Sequence, residues 1–250
     1  MHGGGLVAIL DAAARALGGP EAPRVIEGRL TSSVPIATPL ALEGSARGES
    51  AAITIFQNGQ TLTSATVRPP SAALRAVPPP RAPGKGTTLP MSDDCLACGA
   101  RNPLGLQQAL RFDEEGVWAR LTPRPPWRVD AARVHAALAP VVLDEVAWWL
   151  GALMMREGGL TNRIQVTFHA SPLPAAGPLL AIGRFADVTP VDRQRTFWRT
   201  ACALFDEGGR VLAEAAIVFR GGPEWSARQM PYFKARTDGA TFGRMFPGYV

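Results

Sequence analysis

Two aspartates, each set nine positions after a histidine, are the residues of this 250-residue chain best placed for chemistry: His2 with Asp11, and His135 with Asp144. The second pair lies in Arg133–Leu150, a mostly apolar stretch that reads as a helix. Nine residues span about two and a half helical turns. Steps of three and four put Ala137, Val141, Asp144 and Trp148 on one face. An ionised carboxylate within such an apolar stripe is costly unless hydrogen-bonded or solvated, so Asp144 is either paired or working. The first pair opens the chain as His2-Gly-Gly-Gly-Leu-Val-Ala-Ile-Leu-Asp11.

The elements that must position these groups follow a repeated order. A helix running to about Leu17 stops at Gly18-Gly19-Pro20. Strands are predicted at Arg24–Ser33, Pro39–Arg47, Ala51–Gln57 and Thr61–Val67, the last two flanking an Asn58-Gly59 hairpin turn. Pro69–Pro90 carries Pro-Pro, Pro-Pro-Pro and Gly-Lys-Gly and reads as an extended connector outside any sheet. Leu106–Phe112 and Gly116–Thr122 read as a hairpin ahead of the second helix. Pro140 places the start of that helix near itself, after an irregular first turn. Strands at Thr161–His169, Leu179–Val188, Thr196–Phe205 and Arg210–Arg220 follow. Helix, strand, strand, hairpin thus occurs twice, a duplicated unit rather than a short repeat array. The expected segments are 1–68 for the first unit, lacking a leading strand, 69–93 for the linker, 94–221 for the second unit and 222–250 for a loop-rich tail over the body.

Composition narrows the class. With 46% hydrophobic residues the chain can bury a large core. The net charge of +5 comes mostly from arginine, without basic runs interleaved with aromatics, which speaks against nucleic acid and suits an anionic substrate. No secretory leader and no bilayer-length apolar run are read, and three cysteines, an odd number, argue against a disulfide framework, so a cytoplasmic protein is expected. Cys95-x-x-Cys98 lacks a second cysteine pair and is read as a compact turn with two small buried residues. No metal and no cofactor are expected.

The two strings resemble the His-Gly-Gly-x-x-x-x-x-x-Asp helix entrance of hotdog-fold acyl thioester hydrolases related to phenylacetyl-CoA thioesterases. The string is complete at His2-Gly3-Gly4…Asp11, while Ala136 and Ala137 replace both glycines at His135…Asp144. Cys95-x-x-Cys98-Gly99…Asn102-Pro103-x-Gly105-Leu106 is similar to the lead-in of that branch, and the first half is similar to that of the double-hotdog acyl-CoA thioesterases. The resemblance covers Met1–Val67 and Cys95–Arg220. It implies an α+β double hotdog, each half a long helix wrapped by an antiparallel sheet. It implies hydrolysis of an acyl-CoA or acyl-carrier-protein thioester by an Asp-activated water, with the oxyanion held at a helix N-terminus. Assembly of such chains into a homo-oligomer stays open.

In that family one half supplies the oxyanion amide and the other the acid, with a hydroxyl on the strand after the helix. His2, Gly3 and Gly4 with Asp144 and Thr161 fill every role; Trp148 and Asn162 are expected to line the substrate site. His135 and Ala136 with Asp11 lack the hydroxyl and are read as a decayed site. Glu145 is expected to point to another face and pair with an arginine, and both histidines to bond backbone groups at the helix entrances. Ile217 stands near the position of a glutamine used by double-hotdog enzymes. Two other classes compete. A hotdog hydratase or dehydratase sets a histidine about five residues after the aspartate, where this chain has Trp149 and Ala16. The third class is a non-catalytic acyl-binding protein.

Overall fold

The computed structural model describes residues 2–32, 34, 38–72, 83–174 and 177–250. In chain order the elements are α1 (Gly3–Ala16), β1 (Arg24–Leu30), β2 (Ala41–Arg47), β3 (Ser50–Gln57), β4 (Gln60–Arg68), β5 (Thr87–Thr88), β6 (Arg111–Phe112), β7 (Gly116–Leu121), β8 (Arg133–Val134), α2 (Leu138–Met155), β9 (Gly159–Phe168), β10 (Leu173–Pro174), β11 (Leu179–Arg184), β12 (Thr189–Pro190), β13 (Phe197–Phe205), β14 (Val211–Gly221), α3 (Pro223–Lys234) and α4 (Gly239–Met245). Short strands β8 and β10 pair with each other, and β12 pairs only with β13.

Each half has one connectivity. After α1, the strands lie in the order β1-β4-β3-β2; after α2, in the order β9-β14-β13-β11. β1 and β9 pair antiparallel, with Ile26 opposite Val166 and Gly28 opposite Ile164, so the two units share one continuous sheet. Asn58 and Gly59 both take positive φ, 50° and 76°, as a tight primed hairpin turn demands. This is the expected α+β architecture, with both helices on one face of a large antiparallel sheet.

Helix α2 is the centre of the core. Between Leu138 and Leu153 every residue is buried except Glu145 and Trp148. By length and composition it could cross a bilayer, contrary to the expectation that no such run exists, but the sheet and α1 enclose it. Its first turn is irregular: Leu138 N–H donates to His135 and Ala139 N–H to Ala136, bonds of the tighter i to i+3 type.

Three regions differ from expectation. Thr87–Thr88, read as connector, adds an edge strand to Arg111–Phe112, and Leu89 is buried beside it. Two β-branched residues suffice for a short edge strand; the central part of the proline-rich stretch, 73–82, lies outside the described residues. The Leu106–Phe112 strand is reduced to two residues. The tail is helical, not loop-rich. Pro223 stands at the first turn of α3, where no N–H is required, so a residue that looks like a breaker starts the helix. Phe233 and Phe246 stack 6.0 Å apart, and Phe233 lies 5.1 Å from Trp149 of α2.

Candidate active site

The N-terminus of α1 abuts α2 because Gly4 has no side chain. A Cβ at Gly4 would lie 2.0 Å from the Pro140 carbonyl oxygen, and one at Gly3 would lie 2.9 Å from Asp144 Oδ2. The crossing brings the open end of one helix onto a carboxylate of the other. Gly4 N–H donates to Asp144 Oδ2 at 2.8 Å, and Thr161 Oγ1, on β9, donates to Oδ1 at 2.8 Å. Asp144 is 4% exposed. Burial raises its pKa above the usual carboxylate value, against the opposing pull of His2, Thr161 and Gly4. A carboxylate held by one such donor on each oxygen can still accept a further hydrogen bond.

His2 does not cap its helix with its side chain. Its Nε2 lies 2.9 Å from Glu145 Oε2, and its Nδ1 lies 3.4 Å from Asp144 Oδ2. Burial alone would lower the imidazole pKa; hydrogen bonds with Cys95 and Glu145 and the nearby carboxylates outweigh it and raise it well above the ordinary value. Glu145 therefore pairs with a histidine rather than an arginine. Burial would raise its carboxyl, but His2 and the two thiols hold it below the usual range. The Cys-x-x-Cys loop joins the same cluster. Cys95 Sγ sits 3.6 Å from Glu145 Oε2. The neighbouring Cys98 thiol lowers the Cys95 thiol to about 6, and Cys95 together with burial raises the Cys98 thiol.

These groups open onto a cavity of about 450 Å³. Trp148 and Asn162 line it, together with Trp225, Phe233 and Arg220, which the sequence reading did not single out. Trp148 is fixed by its indole N–H, which donates to the Gly159 carbonyl at 3.1 Å.

The second composite site is not assembled. Asp11 is buried and makes a two-pronged ion pair with the fully buried Arg24, at 2.7 Å on each oxygen, with Arg15 a third donor. The Arg24 guanidinium also lies 4.3 Å from the Phe168 ring centre. His135 is exposed and Ala136 buried, and the two precede α2 instead of opening it. Asp11 is thus neither a free polar residue nor a partner of that entrance. Three elements of the first cluster escaped the sequence reading: Glu145, Cys95 and Cys98. The available signal was a second carboxylate in the most apolar helix of the chain, next to Asp144.

No protein-family model matches the chain, and no curated protein does. Solved structures do. A conserved hot dog protein of unknown function from Alicyclobacillus acidocaldarius superposes with a TM-score of 0.61 at 18% identity, covering 88% of this chain and 86% of that one. An acyl-CoA thioesterase II from Mycobacterium marinum gives 0.56 at 13%, covering 87% and 89%. A dehydratase domain from Pseudomonas fluorescens gives 0.57 at 20%, covering 86% and 83%. With helix-plus-sheet units of one connectivity joined across β1 and β9, and these neighbours spanning both, the chain is a hotdog-fold protein carrying two hotdog units in one polypeptide.

Proposed function

We propose that the chain hydrolyses acyl thioesters carried by coenzyme A or an acyl carrier protein. The observation that carries this reading is Asp144: a buried carboxylate on a cavity wall, fixed by Thr161 from its own half and by the N-terminus of the other half's helix. Asp144 takes a proton from a water as the water oxygen attacks the thioester carbonyl carbon. The carbonyl oxygen gains charge in that step and needs a donor. Gly4 N–H is committed to Asp144, so the donor is Gly3 N–H, at the open helix end and on the cavity wall. The intermediate then collapses, the C–S bond breaks, and the thiolate leaves. Arg220 beside the cavity suits the phosphates of either carrier.

The contact of 3.4 Å between His2 Nδ1 and Asp144 supports a second reading, a hotdog dehydratase using that pair as base and acid. Hydrolysis is preferred because the other ring nitrogen of His2 is held by Glu145. Thiol release from acetyl-, aryl- and long-chain acyl-CoA tests the proposal, with 3-hydroxyacyl-CoA run for loss of water. Thiol release that Asp144→Asn lowers by about 10²–10⁴ is expected. Dehydration without thiol release would overturn hydrolysis in favour of the second reading.

A further inference from the structure

Cys95, Cys98 and Glu145 have no part in the hydrolysis just described, yet they gather with His2 at the edge of the cavity. The ligand atoms of His2, Cys95 and Glu145 all lie within 4.8 Å of one another. Cys98 sits in the same Cys-x-x-Cys turn, three residues from Cys95, and bears on the acidity of both Cys95 and Glu145. The loop that carries the sulfurs is shaped around them. Ala97 N–H donates to Cys95 Sγ at 3.3 Å and Ser92 N–H to Cys98 Sγ at 3.5 Å. Backbone donors aimed at both sulfurs suit thiolates, which accept hydrogen bonds better than thiols. Gly99 N–H closes the turn on the Cys95 carbonyl at 3.0 Å, and a Cβ there would meet that oxygen at 2.3 Å. A second observation points the same way. His2 Nδ1 is buried without a hydrogen-bond partner, 3.4 Å from Asp144 Oδ2. A histidine that binds a metal through one nitrogen commonly turns the N–H of the other toward a carboxylate, and the ring is already set for that.

We propose that His2, Cys95 and Glu145, with Cys98 as the fourth donor, form a zinc site. Two sulfurs, one imidazole and one carboxylate make up a mixed set that zinc accepts in tetrahedral coordination, whereas calcium and magnesium require oxygen. No single stretch of sequence contains the site: His2 comes from the entrance of α1, the cysteines from the loop ahead of β6, and Glu145 from α2. The ion ties those three segments together at the edge of the cavity and holds His2 against Asp144. Binding displaces the thiol protons and leaves His2 neutral, with its proton on Nδ1.

The test reads metal directly, so it stands or falls apart from the thioesterase reading. The full chain, stripped with chelator under reductant and desalted, is titrated with Zn²⁺ against a chromophoric chelator and, separately, with Co²⁺. One ion per chain is expected. Cobalt should give thiolate charge-transfer bands and the intense visible bands of a tetrahedral centre, and zinc should raise Tm. Cys95→Ser, Glu145→Gln and His2→Ala should each weaken binding by more than the roughly 10–100-fold that a merely supporting residue costs. Cys202→Ser, at the one cysteine outside the cluster, should bind as wild type. The cobalt spectrum of the unaltered chain serves even if a variant fails to fold. Failure to take up an ion under reductant, a cobalt spectrum without thiolate bands, or wild-type affinity in Cys95→Ser would each overturn the site.

Discussion

At the residue scale the two aspartates have the same spacing from a histidine and different work. Asp144 meets a hydroxyl and a backbone N–H beside a cavity; Asp11 meets a buried guanidinium. Asp11→Asn should leave kcat nearly unchanged in whatever fraction folds, but cost about 3–5 kcal/mol of stability by leaving Arg24 buried without its counter-charge. Urea denaturation with kcat/KM on the soluble fraction checks this; a variant as stable as wild type would refute the pairing. Thr161→Ala should slow turnover less than Asp144→Asn, since the hydroxyl orients the carboxylate and does not itself take the proton. A Thr161→Ala variant slower than Asp144→Asn would reverse that order. Arg220→Ala should raise KM for acyl-CoA with kcat held, because in the proposed reaction Arg220 meets the carrier phosphates and not the carbonyl.

At the element scale the crossing of α1 on α2 decides the site. Gly4→Ala inserts a methyl group where the Pro140 carbonyl already stands, so α1 must move away. Such overpacking typically costs about 1–3 kcal/mol, and here it also withdraws the N–H that holds Asp144. Lowered stability and a fall in kcat together are the expected outcome. Unchanged turnover would show that the helix entrance does not hold the base. Helix α3 belongs to the same assembly, since its Phe233 meets Trp148 and Trp149 and lines the cavity. The breaker-rich sequence after Gly221 hid this: Pro223 and Pro231 argue against a helix until one sits at its first turn and the burial of Met230 holds the rest.

At the scale of the whole molecule the two units share one sheet and one helix pair, so neither has a closed core of its own. All six tryptophans, at 118, 127, 148, 149, 198 and 225, lie after the proline-rich stretch, so their fluorescence reports the second unit. Circular dichroism reports both. Urea unfolding curves from the two signals should superimpose, as for one cooperative transition. Two separated midpoints would mean that the halves stand independently and that the β1–β9 junction contributes little.

The sequence by itself determined the duplicated order of helix and strands, the Asn58-Gly59 hairpin and the apolar character of α2, because period, turn chemistry and capping are written locally. It also pointed to the set His2, Gly3, Gly4, Asp144 and Thr161 through the resemblance of their motif. Only the tertiary structure decided what surrounds those residues. Arg24 is unremarkable in Arg-Val-Ile until β1 brings it beneath Asp11. Glu145 looked bound for another face and an arginine because one residue turns about 100° on a helix; yet the cavity is broad enough to take both faces, and His2 waits there. Cys95-x-x-Cys98 looked half-made because the residues proposed to complete it lie far off in sequence, His2 93 residues before Cys95 and Glu145 47 residues after Cys98. Contacts of that range depend on how the sheet closes across its two units, and no local pattern carries that information.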